Sequence, residues 1–210
     1  MGTTGRRVGR PRADRRPDSG LSARDELLCA AAELFTTLGY AATTTRAVAE
    51  RAGMRQATMY HYFGGKEDLL AELLESTVAP SLALARELLA DEERPAETLL
   101  WELCRSDVEL LCGGPRNLGV LYLLPEVGAE RFAGFRTVRA ELKDAYGTLL
   151  AATGPGAELD KAELALRTDL VFGLIEGVIL VHRSDPDRPV EAFAGATADA
   201  ALRIVGVGGG

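Results

Sequence analysis

Between residues 43 and 66 the chain fits two short helical patterns around one glycine, and few folds can accommodate that. Thr44 stands where an N-cap accepts the backbone N–H groups that open the first pattern. Val48 and Ala49 are its inward positions. In the turn Ala52-Gly53-Met54, glycine supplies the backbone angles of a sharp reversal without a Cβ clash. Met59 and Phe63, four apart, give the second pattern an apolar stripe. Its other side chains are Arg55, Gln56, Thr58, Tyr60, His61 and Tyr62, all hydrogen-bonding or stacking groups. So many of them on one short helix implies that something polar docks there.

The run Glu26-Leu27-Leu28-Cys29-Ala30-Ala31-Ala32-Glu33-Leu34-Phe35-Thr36-Thr37-Leu38-Gly39-Tyr40 and the later Tyr60-His61-Tyr62-Phe63-Gly64-Gly65-Lys66-Glu67-Asp68-Leu69-Leu70 flank this pair. Together the three segments resemble the helix-turn-helix region of the TetR family of transcriptional regulators. Two positions depart from that pattern. Arg55 stands where a small capping serine is common, and Ala57 where glycine is common; the alanine favours helix. The resemblance implies an all-α fold. It would comprise a disordered basic arm (1–20), a three-helix helix-turn-helix DNA-binding domain (21–66) and a larger helical ligand-binding and dimerisation domain (67–210).

A net charge of −7 looks wrong for a partner of DNA, but its distribution removes the conflict. Residues 1–20 hold six Arg against two Asp, residues 21–66 five Lys/Arg against four acids, and the remainder 13 against 25. Positive charge therefore lies where phosphates would be met, and the acidic bulk opposes misplaced docking. The arm has no apolar periodicity. Its Gly9-Arg10-Pro11-Arg12 resembles an AT-hook core, with Arg10 and Arg12 entering a narrow minor groove. The alternative is a solvated tail that adds only general attraction to DNA.

No run reaches the ~18 apolar residues of a membrane span, and no secretory signal opens the chain, so a cytoplasmic location without membrane contact is expected. Cys29, Cys104 and Cys112 lack metal-binding spacing and sit in helical patterns, which suggests reduced, buried thiols.

Apolar periodicity predicts helices over 22–38, from 66 to 89, 96–112, 126–153, 159–182 and 190–205, with an irregular segment over 118–124. Pro80 should kink or divide the helix that Lys66 opens, near residues 77–79. No stretch alternates as a strand would.

A helix-turn-helix lays its second helix in the major groove. Arg55 and Gln56 are long enough to read guanine and adenine, and Thr58 could touch a thymine methyl. By the family resemblance, Tyr60 and Tyr62 direct hydroxyls to phosphates, while Thr44 and Lys66 hold the backbone on either side. Phe63 is expected to pack, Tyr60 to pack with a wet hydroxyl, and His61 to be a contact or an exposed neighbour.

One small head reads too short a site, so a homodimer on double-stranded DNA is expected. Gly173 and Gly177, one turn apart, would let a second helix approach, with Leu180 beside them. Phe193, Ala196 and Ala200 lie on a thin last helix, and two such helices from each subunit would form a four-helix bundle. The alternative is an internal core helix. Between them, Trp101, Cys104, Asp107, Val108, Leu111, Tyr122, Phe132, Phe135, Tyr146, Phe172 and Glu176 offer an apolar lining with polar anchors for a small apolar effector; each singly is more often core, and about a third would touch a ligand.

The leading expectation is a repressor released from a palindromic operator by that effector. An activator using the same domain is the nearest alternative. A redox- or metal-responsive regulator would need Cys104 and Cys112, which lie ~12 Å apart on one helix, too far to bridge. An enzyme is disfavoured: the only histidines are His61 and His182, and no phosphate loop, metal cluster or nucleophile elbow is present. No cofactor or metal is expected.

Overall fold

A computed structural model describes residues 20–113 and 118–207; the arm with Arg10 and Arg12 lies outside the described residues. Every regular element among them is helical. The first three helices are α1 (Ala23–Thr37), α2 (Thr45–Arg51) and α3 (Gln56–Met59). Ser22 caps α1 by accepting the Asp25 N–H at 3.2 Å, and Thr44 caps α2 by accepting that of Ala47 at 3.1 Å. At the end of α2, Gly53 takes φ +73°, its N–H reaches the Glu50 carbonyl and Met54 N–H the Ala49 carbonyl. These two bonds satisfy carbonyls that a helix end leaves orphaned. α3 is a single turn: Tyr60 caps it, and Met59 and Phe63 are buried beneath.

The long helix α4 (Lys66–Leu89) runs through Pro80 without dividing. The ring removes the N–H that the Ser76 carbonyl would accept. Pro80 itself faces solvent. α5 (Ala96–Cys112) and α8 (Val190–Val205) have the expected bounds, and α7 (Lys161–Ser184) starts later than its periodicity because Asp160 caps it. The helix expected over 126–153 is shorter: α6 spans Ala133–Ala152. Before it lie 3-10 turns at Leu118–Leu123, Pro125–Gly128 and Glu130–Phe132. Ala129 is extended (ψ 154°), and Arg136 Nη1 donates to the carbonyls of Val127 and Ala129 at 2.8 and 2.7 Å. A tertiary donor thus does what a continuing helix would have done.

Two apolar clusters form. One joins the second half of α4 to α5–α8. The other joins α1–α3 to the first half of α4, and continues into Leu121, Val127 and Phe132 of the 3-10 segment and Phe135 of α6. The head's core therefore reaches past residue 66 into the body. No described helix is long and apolar enough to cross a membrane.

Candidate nucleic-acid interface and cavity

The outer surface of α2 and α3 carries the expected polar set. Thr44, Arg55, Gln56, Tyr60, His61 and Tyr62 are exposed, with Tyr60 at 50% and Tyr62 at 44%, and Thr58 is half-buried. Arg55 occupies the N-cap position of α3 but makes no capping bond, so its guanidinium stays free to point outward. The spacing of these residues gave no hint of the organising residue, Thr45. Its Oγ1 accepts from Gln56 Nε2 at 3.0 Å and lies 3.2 Å from the Tyr60 hydroxyl. The hydroxyl thereby restrains two of the proposed reading groups before any partner arrives.

Lys66 is placed differently from the expectation. Its ammonium donates to the carbonyls of Tyr40 (3.0 Å) and Thr43 (3.3 Å) and lies 4.3 Å from the centre of the Tyr40 ring. Two of three protons are committed inside the head, tying the α1–α2 loop to the start of α4. The neighbouring Asp68 accepts the Gly64 N–H at 2.7 Å and pairs with Arg131, which joins the loop after α3 to the 3-10 segment. Arg24 pairs with Glu72 and lies over the Phe63 ring.

Two adjoining spaces lie on the body side of α4. The outer one, ≈ 390 Å³, is walled by Tyr122, Val127, Phe135, Arg136, Arg139 and Glu176, and its rim includes Gly177 and Leu180. The inner one, ≈ 20 Å³, shares Tyr122 and Glu176 and adds Asp107, Leu111, Phe172 and the α4 residues Thr77 and Ser81. Six of the expected lining residues thus come together: Asp107, Leu111, Tyr122, Phe135, Phe172 and Glu176.

The others do not line these spaces. Trp101 turns to α8, its indole N–H donating to Asp199 Oδ1 at 2.8 Å. Cys104 and Val108 are wholly buried core, Tyr146 lies behind Asp107, and Phe132 belongs to the head cluster. Arg139 went unremarked in the sequence, yet it pairs through Nε and Nη2 with Glu176 and lies 5.0 Å from the Phe172 ring centre.

Asp107 is 3% exposed. Its Oδ2 accepts the Tyr146 hydroxyl at 2.7 Å, and its Oδ1 has no partner among the described residues. Burial pushes the carboxyl up to about 6, against the pull of the Ser81 and Tyr146 hydroxyls. Burial also raises the Tyr122 phenol, whose hydroxyl lies 2.6 Å from Thr77 Oγ1 on α4.

The buried thiols of Cys104 and Cys112 are raised as well, Cys112 to about 11, which holds them protonated and unreactive. Cys29 is exposed, contrary to expectation, because it sits off the α1 face that buries Leu27, Ala31 and Phe35. Among the described residues no group of His, Cys, Asp or Glu is arranged to hold a metal ion.

On α7, Gly173 and Leu180 are exposed and Gly177 half-buried, on a stripe that also exposes Leu166, Leu170 and Val181 and that meets the outer space at Gly177 and Leu180. On α8, Ala196 is exposed and Ala200 half-buried, while half-buried Phe193 carries the Arg188 guanidinium 5.2 Å from its ring centre.

Comparison with known proteins extends the picture. The family model described as "Bacterial regulatory proteins, tetR family" matches residues 27–73. The chain is 37% identical over 78 residues to the HTH-type transcriptional repressor KstR2 of Mycobacterium tuberculosis (strain ATCC 25618 / H37Rv), covering 37% of this chain and 39% of that repressor. It therefore spans about two-fifths of the length of the curated relatives it matches. With the crystal structure of Mycobacterium smegmatis AmtR the likeness runs through both halves: 44% identity and a TM-score of 0.82 over 94% of this chain and 92% of that one. FadR from Bacillus subtilis, solved in complex with stearoyl-CoA, shares the fold at 18% identity and a TM-score of 0.68, over 85% of this chain and 97% of that one.

Proposed function

The chain belongs to the TetR family of bacterial regulatory proteins, and from that premise we propose that it is a homodimeric repressor released from a palindromic operator by a small effector. Residues 21–66 form the DNA-binding head, and residues 67–210 hold the effector and pair the subunits. Arg55 and Gln56 read base edges, with Thr58 at a thymine methyl. Thr44, Tyr60 and Tyr62 meet phosphates, and His61 lies beside them. The outer cavity takes the effector.

The observation that carries this reading is that α4 touches both sites. Its first residue, Lys66, fixes the α1–α2 loop of the head, and Thr77, three turns on, meets the Tyr122 hydroxyl in the cavity wall. A ligand that displaces Tyr122 acts on the helix that carries the head. Such a ligand shifts the equilibrium only by binding the two arrangements unequally.

Selection of bound fragments from sheared genomic DNA should recover a near-palindrome with half-sites about one helical turn, ~34–36 Å, or a multiple of it apart. On that site Arg55→Ala should cost ~1–3 kcal/mol and relax preference at one base pair. Recovery of random fragments, or equal losses for Arg55→Ala on specific and mixed DNA, would remove the base-reading role.

A further inference from the structure

The cavity holds a feature that an apolar effector would not use. A carboxylate has about four lone-pair sites, and a buried charge is costly unless it is paired. Asp107 keeps one oxygen without a partner among the described residues at 3% exposure, and its side chain belongs to the lining of a space of ≈ 20 Å³. By the measure that one water needs ~10–15 Å³, that space holds one compact polar group and none of its hydration. The larger space of ≈ 390 Å³ adjoins it through Tyr122 and Glu176.

The nearby charges leave Asp107 as the open acceptor. Glu176 is taken by Nε and Nη2 of Arg139, and Arg136 Nη1 is spent on the Val127 and Ala129 carbonyls. The Tyr122 ring, 5.1 Å from Phe135, borders both spaces as an apolar wall.

We infer that the effector site is built for a ligand with a compact cationic nitrogen on an apolar body, the nitrogen donating to Asp107 Oδ1 and the body filling the outer space beside Tyr122 and Phe135. The inference rests on reading this cavity as the effector site, and it replaces a purely apolar ligand with an amphipathic one. A carboxylate head would be repelled at the same place. A neutral head would leave the charge unpaired.

Three probes of equal chain length separate these chemistries: n-pentylammonium, 1-pentanol and pentanoate. Binding to the full-length protein is read at pH 7.5 by thermal shift, alongside release of labelled operator DNA. The ammonium should half-saturate at a concentration at least tenfold below either other probe, and Asp107→Asn should abolish that ranking. Equal binding of the three, a preference for pentanoate, or a ranking that survives Asp107→Asn overturns the inference.

The ranking in unmodified protein decides the matter even where Asp107→Asn fails to fold. If pentylammonium binds through Asp107 without releasing DNA, the site stands and the regulatory reading of the cavity fails. If nitrogen-free apolar compounds release DNA while the three probes rank equally, the regulatory reading stands and the cationic ligand fails.

Discussion

The Lys66 ammonium sits where the α1–α2 loop meets the start of α4, and two main-chain carbonyls converge on it without a helix to use them. Lys66→Met keeps the stem on the Tyr40 ring and removes both bonds. A hydrogen bond to a charged group contributes about 1.5–3 kcal/mol, so chemical denaturation should show a loss of that order. Operator affinity should fall through the loosened head, while the slope of log affinity against log salt stays that of the parent. A slope smaller by about one would mean that a phosphate contact has gone, and Lys66 would return to the DNA surface. Asp107 has a different signature. Its folded carboxyl titrates near 6 and an unfolded one near 3.9, so over that interval the folded state binds more protons. Stability from this group is therefore complete below about pH 4 and is lost as pH rises through 6, by about 2–3 kcal/mol in all. Between pH 4 and 7.5, urea melts should move the difference between Asp107→Asn and the parent by that amount in favour of the variant. A difference that does not change with pH would show that the folded carboxyl titrates as an exposed one.

At the scale of elements, α4 is a lever with a soft turn. Pro80 removes one bond, and Ser76 and Thr77 turn their hydroxyls back to the Leu73 and Leu74 carbonyls at 2.7 and 2.6 Å, a pattern that tends to bend helices. Pro80→Ala restores the missing N–H and should raise stability by about 1–3 kcal/mol. It should also raise the effector concentration needed for half-release, because a stiffer helix resists the second arrangement. An unchanged release curve in a stabilised variant would take Pro80 out of the switch. Much of this architecture was legible in the sequence because its signals are local: Ser22 and Thr44 cap, Gly53 turns, and the bounds of α5 and α8 follow from Pro95, Gly113, Pro189 and Gly206. The irregular stretch at 118–124 was expected, but the turns over 125–132, read as the start of a helix, were not legible. Those turns are held by the Arg136 side chain from the next helix, and the stretch before them by the Tyr122–Thr77 contact between residues 45 positions apart, neither of which apolar periodicity reports. Trp101 failed as a lining residue for the same reason, since Asp199, 98 positions away, takes its indole. A lysine that opens a helix reads alike whether it points to phosphate or to its own carbonyls.

At the scale of the molecule, the α7 stripe repeats as Leu166, Leu170, Gly173, Gly177 and Leu180, spaced four, three, four and three, with the three leucines 50–52% exposed. That is the spacing of a helix seam. A Cβ on Gly173 or Gly177 would meet nothing within 4 Å in the chain itself, so packing within one subunit does not require glycine there. Glycine within a helix costs about 0.5–1 kcal/mol relative to alanine, and the repeat keeps it twice where a second helix would lie closest. Opposite effects on folding and assembly follow. Gly173→Ala and Gly177→Ala should each stabilise the isolated subunit by about 0.5–1 kcal/mol while weakening the dimer. Leu180→Glu should leave folding near that of the parent yet yield single subunits in sedimentation. Joining two heads gains about 10²–10⁴-fold over one, so operator affinity for Leu180→Glu should drop by that factor while half-site affinity holds. Sedimentation at falling concentration reads assembly, and melting of the single-subunit Leu180→Glu background, with and without Gly177→Ala, reads the subunit term. If Gly177→Ala strengthened the dimer, or Leu180→Glu remained dimeric at low micromolar concentration, the seam would have to lie on another face of the bundle.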